Sequence, residues 1–254
     1  MSRSPLTASP LSGIPEVTAG ADLAALLVTA AEGAGGLAER DILVVAHKVV
    51  SKAEGRVRAL ADVRPGERAR RLGAEQDKDP RHVQVVLDEA VELVRAERGV
   101  LICRTRHGFV CANAGVDASN APAPGTVVLL PDDPDASARH VRARVCELTG
   151  RRPAVLITDS FGRAWRHGQS EVAIGCAGLA PLDDWRGRPD AAGRTLRATW
   201  IAVADQVAAA ADLARAKDSR EPAVVVRGLE RHVTAQDGPG AAALLRAPAE
   251  DLFR

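Results

Sequence analysis

The sequence is poor in aromatic residues: it contains no tyrosine, and Phe, Trp and Tyr together make up 2% of its 254 residues. This scarcity disfavours a base-stacking platform of the kind that binds single-stranded nucleic acid. A large charge excess is also absent, because 34 Lys and Arg residues nearly balance 33 Asp and Glu residues and leave a formal net charge of +1. We therefore expect neither a general nucleic-acid binder nor a membrane binder, although a local basic cluster can still bind an anion.

Signals for disulfide frameworks, zinc sites and membrane insertion are missing too. The four cysteines form no C-x-x-C pair and have no zinc-like spacing, which is typical of buried or free thiols in a reducing compartment. The N-terminal MSRSPLTASP lacks the apolar core of a signal peptide, and no run approaches the roughly 20 apolar residues that span a bilayer. The sequence therefore predicts a cytoplasmic protein. The cysteines are Cys103, Cys111, Cys146 and Cys176.

The common nucleotide-binding and hydrolase signatures do not occur either. The absence of G-x-x-x-x-G-K-[ST] excludes a P-loop. The letters GPGAAA at 238–243 match a G-x-G-x-x-A turn, but no apolar strand leads into them and Pro239 lies inside them. Neither G-x-S-x-G nor a cysteine-protease signature is found. Any bound nucleotide would have to be held by another arrangement of lysines, backbone amides and a metal ion.

Periodicity and turn signals predict a mixed α+β fold, with mixed sheets and flanking helices. Strands and helices alternate imperfectly and a hairpin is present, which fits α+β better than a doubly wound sheet. The Ser- and Pro-rich residues 1–12 predict a flexible N-terminal tail. Helices are predicted at 23–31, 78–99 and 131–150, and an Ala-rich helix follows a strand near residue 200.

The strands are predicted from short apolar runs rich in β-branched residues. The run 41–50 is predicted to be a buried strand whose end carries His47 and Lys48. Residues 99–115 are predicted to form a hairpin that turns at His107 and Gly108. Further strands are predicted at 125–130, 152–160 and 222–229, and the Gly- and Arg-rich stretch 161–194 is predicted to be irregular.

Two aspartates that follow apolar runs form the first candidate site. Asp117 lies in CANAGVDASN after the hairpin, and Asp159 with Ser160 ends VLITDS. Carboxylates and hydroxyls at strand exits are well placed to bind a hard divalent cation, which takes oxygen ligands. The alternative is that each Asp merely caps a turn, because Asp, Ser and Asn side chains bond to neighbouring backbone groups. The two aspartates together, with FGRAWRHGQ directly after Asp159, favour the metal site.

Basic side chains offer candidate anion sites beside these carboxylates. FGRAWRHGQ carries Arg163, Arg166 and His167, and guanidinium groups suit phosphate and carboxylate. The alternative is a solvated basic loop. AHKVVSKAEGR supplies Lys48 and Lys52 as point charges for a polyphosphate, although both could equally be ordinary surface lysines.

Eight segments between residue 13 and about residue 253 occur together in the order of one known family. They are GIPEV, DILVVAHKVVSKAEGR, CANAGVDASN, LLPDDPDASA, VLITDSFGRAWRHGQ, AIGCAGL, VADQVAAAADL and AVVVRGL. The set resembles the coenzyme F420 γ-glutamyl ligase family, which comprises archaeal free-standing ligases and the N-terminal half of actinobacterial two-domain relatives. The resemblance makes residues 13–254 one ligase unit, with a nucleotide-binding domain and an inserted subdomain at about 78–195.

The resemblance implies a GTP-dependent ligase that uses Mg²⁺ or Mn²⁺ and adds L-glutamate to a deazaflavin coenzyme precursor. The first glutamate joins through its α-amino group to a free carboxylate, by way of an acyl phosphate, and later ones join through γ-linkages. A mixed α+β fold of the family's own and an intertwined homodimer are also implied. A metal-dependent phosphate-ester hydrolase and a catalytically silent nucleotide-binding subunit are the alternatives.

The resemblance also assigns roles to individual positions. Asp117 and Asp159 match ligands of a first metal ion, and Ser160 matches a ligand of a second. We expect Arg163 and Arg166 to be catalytic together with the two aspartates, by holding either the incoming glutamate or the phosphodiester of the precursor. The expected GTP contacts are Ile14, Pro15, Glu16, Val17, His47, Lys48, Lys52, Asn120 and the segment 215–222, including Arg215, Ala216, Lys217, Asp218 and Ser219.

Two positions depart from the archaeal pattern of the family. Lys217 stands where an archaeal glutamate would help to hold the second metal, as in the actinobacterial relatives. A protonated lysine cannot ligate a metal, so either the second metal is lost or Lys217 supplies its charge. His47 replaces a small polar residue.

Overall fold

The computed structural model describes residues 5–251, and it has the α+β architecture that the sequence predicts. The helices are α1 (Leu23–Glu32), α2 (His47–Ala53), α3 (Glu67–Gln76), α4 (Pro80–Glu89), α5 (Pro134–Thr149) and α6 (Val203–Asp212). The strands are β1 (Thr7–Pro10), β2 (Ile42–Ala46), β3 (Val57–Ala59), β4 (Ala90–Glu97), β5 (Val100–Thr105), β6 (Val110–Ala112), β7 (Thr126–Val128), β8 (Ala154–Arg163), β9 (Arg166–Ala177), β10 (Leu182–Asp184), β11 (Trp200–Ala202) and β12 (Ala223–Arg227).

A five-stranded mixed sheet in the order β1-β12-β2-β8-β9 forms the centre of the fold. Only the β2–β8 pair is parallel. Alternate residues of β2 face opposite sides: Leu43 and Val45 pack with α1 and α5, whereas Ile42 and Val44 pack with α6. Because both faces are covered, the central strands are apolar runs without alternation.

A third apolar cluster, besides those on the two faces of the central sheet, lies under the three-stranded sheet β4-β5-β6. It joins buried residues of α3 and α4, such as Leu72 and Val86, to Leu101 and Cys103 of β5 and to Val127 of β7. Two short two-stranded sheets, β3-β7 and β10-β11, complete the described strands. Whether residues of about 78–195 form an inserted subdomain stays a prediction.

Several predicted elements are confirmed. Helices α1 and α5 begin at aspartate N-caps, where Asp22 accepts from Ala25 N and Asp133 accepts from Ala136 N. The hairpin β5–β6 turns where Gly108 has φ +93°, which is a conformation that favours glycine. All four cysteines are free, and burial raises the pKa of the Cys111 and Cys176 thiols to about 12. Within residues 5–251, no helix has the length and apolar character that crossing a membrane requires.

The predicted tail over residues 1–12 is wrong for the part that the structure describes. Strand β1 pairs with β12, from Thr7 opposite Arg227 to Pro10 opposite Val224, and Leu11 is completely buried. A short strand of mixed polarity at a sheet edge has no strong periodic signal, so its order depends on pairing with a partner more than 200 residues away. Residues 1–4 lie outside the described range.

Three other boundaries differ from the prediction. The helix expected over 78–99 ends at Glu89, where the backbone turns into β4. The strand expected over 41–50 ends at Ala46, so His47 and Lys48 lie in the first turn of α2. The stretch 161–194 is not wholly irregular, because β8 and β9 continue as a long antiparallel hairpin.

Candidate functional site

Strand directions bring most of the predicted site segments to one edge of the central sheet. Strands β2 and β8 are parallel, β12 is antiparallel to β2, and β1 is antiparallel to β12. The C-terminal ends of β1, β2 and β8 therefore share an edge with the N-terminal end of β12. We call this the site edge. Residues 14–17 follow β1, α2 follows β2, and residues 215–222 precede β12 at this edge.

Backbone hydrogen bonds fix these segments beside one another. The amide of Ala46, the last residue of β2, donates to the carbonyl of Pro222 at 2.8 Å, and Leu11 N donates to Ala223 O at 2.8 Å. The hydroxyl of Ser12 donates to Glu221 Oε1 at 2.7 Å. The segments that the resemblance assigns to GTP are thus neighbours in space, although up to about 200 residues separate them in sequence.

The register of β2 against β8 places His47 and Asp159 side by side. Ala46 lies opposite Thr158 in the last pair of the parallel ladder, so His47, which begins α2, and Asp159 of β8 directly follow this pair along the chain. His47 is 1% exposed, its Nδ1 lies 3.3 Å from Ser51 Oγ, and its Nε2 lies 3.3 Å from Asp159 Oδ1. Its Nε2 has no hydrogen-bond partner among the described residues, because the approach to Asp159 lacks hydrogen-bond geometry.

Asp117 contacts helix α2 from beside the two-stranded sheet β3-β7. Its backbone pairs with Val128, and Lys48 Nζ lies 2.7 Å from its Oδ2. Ser119 donates to Asp117 twice, from N at 2.7 Å and from Oγ at 2.9 Å, while Lys48 donates to Ser119 Oγ at 2.6 Å. Burial raises the pKa of Asp117, but the bonds from Lys48 and Ser119 outweigh it and hold the pKa below the usual range.

The two predicted metal carboxylates therefore contact consecutive side chains of α2. Asp159 contacts His47 and Asp117 contacts Lys48. Among residues 5–251, no group of three His, Cys, Asp or Glu side chains is placed to hold a metal ion. Two carboxylates nevertheless fit Mg²⁺, which proteins commonly bind through one or two carboxylates while substrate phosphates and water complete the coordination.

The remaining expected nucleotide contacts differ in exposure. Lys52 is 7% exposed, and its Nζ lies 2.6 Å from Oε1 of the exposed Glu16. Val17 is buried in the main core and Ile14 packs against that core, so their side chains support the segment and leave its backbone and Glu16 for a ligand. Asn120 is exposed and has φ +55°, a left-handed conformation that asparagine tolerates.

A second group of charges lies further along the site edge, where Ser160 and Glu171 face each other across the β8–β9 ladder. We call Ser160, Glu171, Asp212, Arg215 and Lys217 the charge cluster. Ser160 Oγ donates to Glu171 Oε1, and Lys217 Nζ donates to Ser160 Oγ at 2.8 Å. Arg215 Nη2 lies 3.3 Å from Glu171 Oε2, and Arg215 Nη1 donates to the carbonyl of Pro222 at 3.1 Å.

Arg163 and Arg166 are not brought to the carboxylates. They flank the exposed tip of the β8–β9 hairpin, where Arg163 donates to the carbonyls of His167 and Gly168. Arg163 lies four residues after Asp159 along the extended strand β8, which is a span of about 13 Å. Within the part of the chain that the structure describes, neither guanidinium contacts Asp117 or Asp159, and their catalytic role stays a prediction.

Three residues of the site were not identified as candidates from the sequence. Glu171 carries a buried carboxylate beside Ser160, Asp212 lies 3.5 Å from Lys217 Nζ, and Ser119 bridges Lys48 and Asp117. Glu171 precedes the apolar run VAIGCA, and a polar residue at the start of such a run is a usable signal for a strand-edge site. Because the sequence predicts an irregular stretch over 161–194, the start of β9 and its polar residue are not recognised from the sequence.

Comparison with known proteins agrees with the resemblance. A family model described as F420-0:Gamma-glutamyl ligase matches residues 13–228. The chain is 46% identical over 241 residues to the Coenzyme F420:L-glutamate ligase of Methanopyrus kandleri, covering 94% of each chain. It is 43% identical over 246 residues to the ligase of that name from Methanothermobacter thermautotrophicus, covering 96% of this chain and 97% of the relative.

A third relative extends the same pattern: the Coenzyme F420:L-glutamate ligase of Methanocaldococcus jannaschii is 41% identical over 215 residues, or 84% of each chain. The matched residues 13–228 include residues 14–17, α2, β8 and the segment 215–222 of the site edge. The chain therefore belongs to the F420-0:Gamma-glutamyl ligase family.

Proposed function

We propose that this protein joins L-glutamate to the deazaflavin precursor of coenzyme F420, in a reaction that consumes GTP and requires a divalent cation. The names of its relatives and its family membership support the substrates. The single observation that carries the proposal is the pairing of Asp117 and Asp159 with the consecutive residues Lys48 and His47 at the site edge. It supports the proposal because the two expected metal carboxylates contact consecutive side chains of α2, and one of these side chains is a lysine that could donate to phosphate.

The chemistry explains why a nucleotide is needed. A carboxylate does not form an amide directly, because its oxygen is a very poor leaving group. Transfer of the γ-phosphoryl group of GTP to the precursor carboxylate gives an acyl phosphate and GDP. The glutamate amine then attacks the acyl carbon, the C–O bond to phosphate breaks, and the products are the amide, inorganic phosphate and a proton.

The residues at the site edge supply binding and charge for the first step. Asp117 and Asp159 would hold a divalent cation, which when bound neutralises phosphate charge and orients the phosphates. Lys48 and Lys52 would donate to phosphate oxygens as point charges. In the described structure their ammonium groups are paired with Asp117 and Glu16, so nucleotide binding would exchange carboxylate partners for phosphate partners.

Other segments would complete the substrate sites. The backbone of residues 14–17, Asn120 and residues 215–219 would line the nucleotide. Arg163 and Arg166 would hold the glutamate or the phosphodiester of the precursor. Because neither guanidinium contacts Asp117 or Asp159 within the described part of the chain, a homodimer in which the hairpin tip approaches a partner's site would bring all the groups together.

Mass spectrometry of the products formed from precursor, glutamate and GTP tests this proposal. Asp117→Asn and Asp159→Asn should each lower turnover by about 10²-fold or more, because each replacement removes a charged ligand, while the exposed Asp62→Asn control keeps it. ATP in place of GTP should support a lower rate. Phosphate release from GTP without glutamate, or near-normal turnover in both aspartate variants, would contradict the proposal.

A further inference from the structure

The Lys217 side chain ends among oxygen atoms. Its Nζ lies 2.8 Å from Ser160 Oγ, 3.5 Å from Asp212 Oδ1 and 3.6 Å from Glu171 Oε1. A hydroxyl and two carboxylates are the donors that a hard divalent cation takes in proteins. The ammonium therefore occupies the place where these three side chains would otherwise face a metal ion.

The charges of the cluster already balance without a metal ion. Glu171 and Asp212 carry one negative charge each, and Arg215 and Lys217 carry one positive charge each. Glu171 is only 4% exposed, and a carboxylate buried to that extent needs positive partners. Arg215 faces its Oε2 and Lys217 faces its Oε1, so both sides of the carboxylate have a cation.

A dication added beside these four groups would leave the cluster with two excess positive charges. Lys217 is 70% exposed, yet its ammonium reaches back over Ser160 to the buried carboxylate. An ordinary surface ion pair joins two exposed side chains, whereas Lys217 contacts the nearly buried carboxylate of Glu171 and the hydroxyl of Ser160. The arrangement has the properties of a fixed cation in an oxygen-lined site.

We propose that the Lys217 ammonium replaces a second divalent cation, so that each chain binds a single metal ion, at Asp117 and Asp159. The proposal rests on the proposed function only for the first metal site. It follows that the positive charge beside Ser160 does not depend on the metal concentration, and that restoring a carboxylate at position 217 should create a second metal site.

Counting bound Mn²⁺ tests the proposal. The protein is titrated with MnCl₂ alone, and free Mn²⁺ is followed by its electron paramagnetic resonance signal in wild type, Lys217→Glu, Lys217→Arg and Lys78→Glu. Lys78→Glu makes the same charge change outside the charge cluster, just before α4. Lys217→Glu should bind one more Mn²⁺ per chain than wild type, whereas Lys217→Arg and Lys78→Glu should bind the same number as wild type.

Each of the other results would overturn the proposal. An unchanged count in Lys217→Glu means that the ammonium does not occupy a metal site. If Lys78→Glu binds one more Mn²⁺ as well, the added ion does not depend on position 217. If Lys217→Arg binds one more Mn²⁺, a positive charge at position 217 does not take the place of a metal ion. Product formation from precursor, glutamate and GTP is measured in parallel. Absence of ligase activity in wild type would contradict the proposed function, whereas the number of bound Mn²⁺ ions decides the role of Lys217 independently.

Discussion

Replacing Lys48 with methionine should change metal affinity and nucleotide affinity in opposite directions. The Lys48 ammonium lies 2.7 Å from Asp117 Oδ2 and donates to Ser119 Oγ at 2.6 Å. If Asp117 binds a divalent cation as proposed, the ammonium should compete with that cation in the absence of nucleotide. Once nucleotide is bound, the same ammonium is expected to donate to phosphate. Removing the Lys48 ammonium should therefore strengthen metal binding and weaken nucleotide binding.

The exposure of the pair sets the size of the first effect. The Lys48 and Asp117 side chains are 20% and 39% exposed, so solvent screens their attraction in part. An ion pair of this kind contributes about 1 kcal/mol, and its loss should strengthen Mn²⁺ binding about fivefold. Losing one charge-assisted hydrogen bond to phosphate costs about 1.5–3 kcal/mol, so GTP should bind about 10- to 100-fold more weakly.

Isothermal titration calorimetry measures both constants on the same variants. Mn²⁺ is titrated into protein without nucleotide, and GTP is titrated into protein at saturating Mn²⁺ without precursor or glutamate. Lys78→Met removes a lysine just before α4 and serves as the control for loss of one positive charge. The unfolding temperature of each variant is measured to exclude a change of fold.

The result that would refute this reasoning is a change of the same sign in both constants. Weaker Mn²⁺ and weaker GTP binding together would mean that Lys48 stabilises the site as a whole and does not compete for Asp117. Unchanged GTP affinity in Lys48→Met would show that Lys48 does not contribute to nucleotide binding. An identical response in Lys78→Met would assign the effect to net charge.

Two further predictions concern stability. Arg142 is 1% exposed and donates to the carbonyls of Pro153, Thr234 and Ala235 and to the carboxylate of Asp237. Arg142→Met removes these four hydrogen bonds and should lower the free energy of unfolding by about 3–5 kcal/mol, and urea unfolding that shows a loss below about 1 kcal/mol would contradict this. The pKa of Asp117 is lowered in the folded state, so its contribution is fully present above the unfolded value of about 4 and is lost as pH falls through the folded value. The stability difference between wild type and Asp117→Asn should therefore shrink below about pH 4, and a constant difference from pH 6 to pH 3 would refute it.

The central sheet could be predicted because its strands are buried on both faces. The runs at 42–46, 154–157 and 223–227 are apolar at nearly every position, and such runs have few alternatives in a folded chain. Asp159 could be predicted as a site residue because it comes just after the buried apolar run of β8. A residue that leaves a buried strand at the sheet edge is exposed to ligands, whatever the rest of the fold is.

The elements that were wrong depend on pairing between distant residues. Val83, Val86, Val91 and Val94 share one helical stripe in the sequence, but only the first two are buried, and Val91 is 64% exposed. The chain leaves the helix at Ala90 because β4 pairs with β5, a contact that local periodicity does not encode. The β8–β9 hairpin was missed for a similar reason, since glycines and arginines resemble a loop until the ladder pairs them.

The site edge combines a rigid backbone with exchangeable side-chain partners. Sheet hydrogen bonds hold Ala46 to Pro222 and Asp117 to Val128, so the positions of the ligand groups are fixed before substrate binds. The ammonium groups there are instead held by partly exposed ion pairs, each worth about 1 kcal/mol. Because a hydrogen bond to phosphate is worth about as much or more, a nucleotide can take Lys48 from its carboxylate at little net cost. In the proposed function, the carboxylate released by that exchange would be a ligand of the divalent cation, so we expect nucleotide and metal to bind with positive cooperativity.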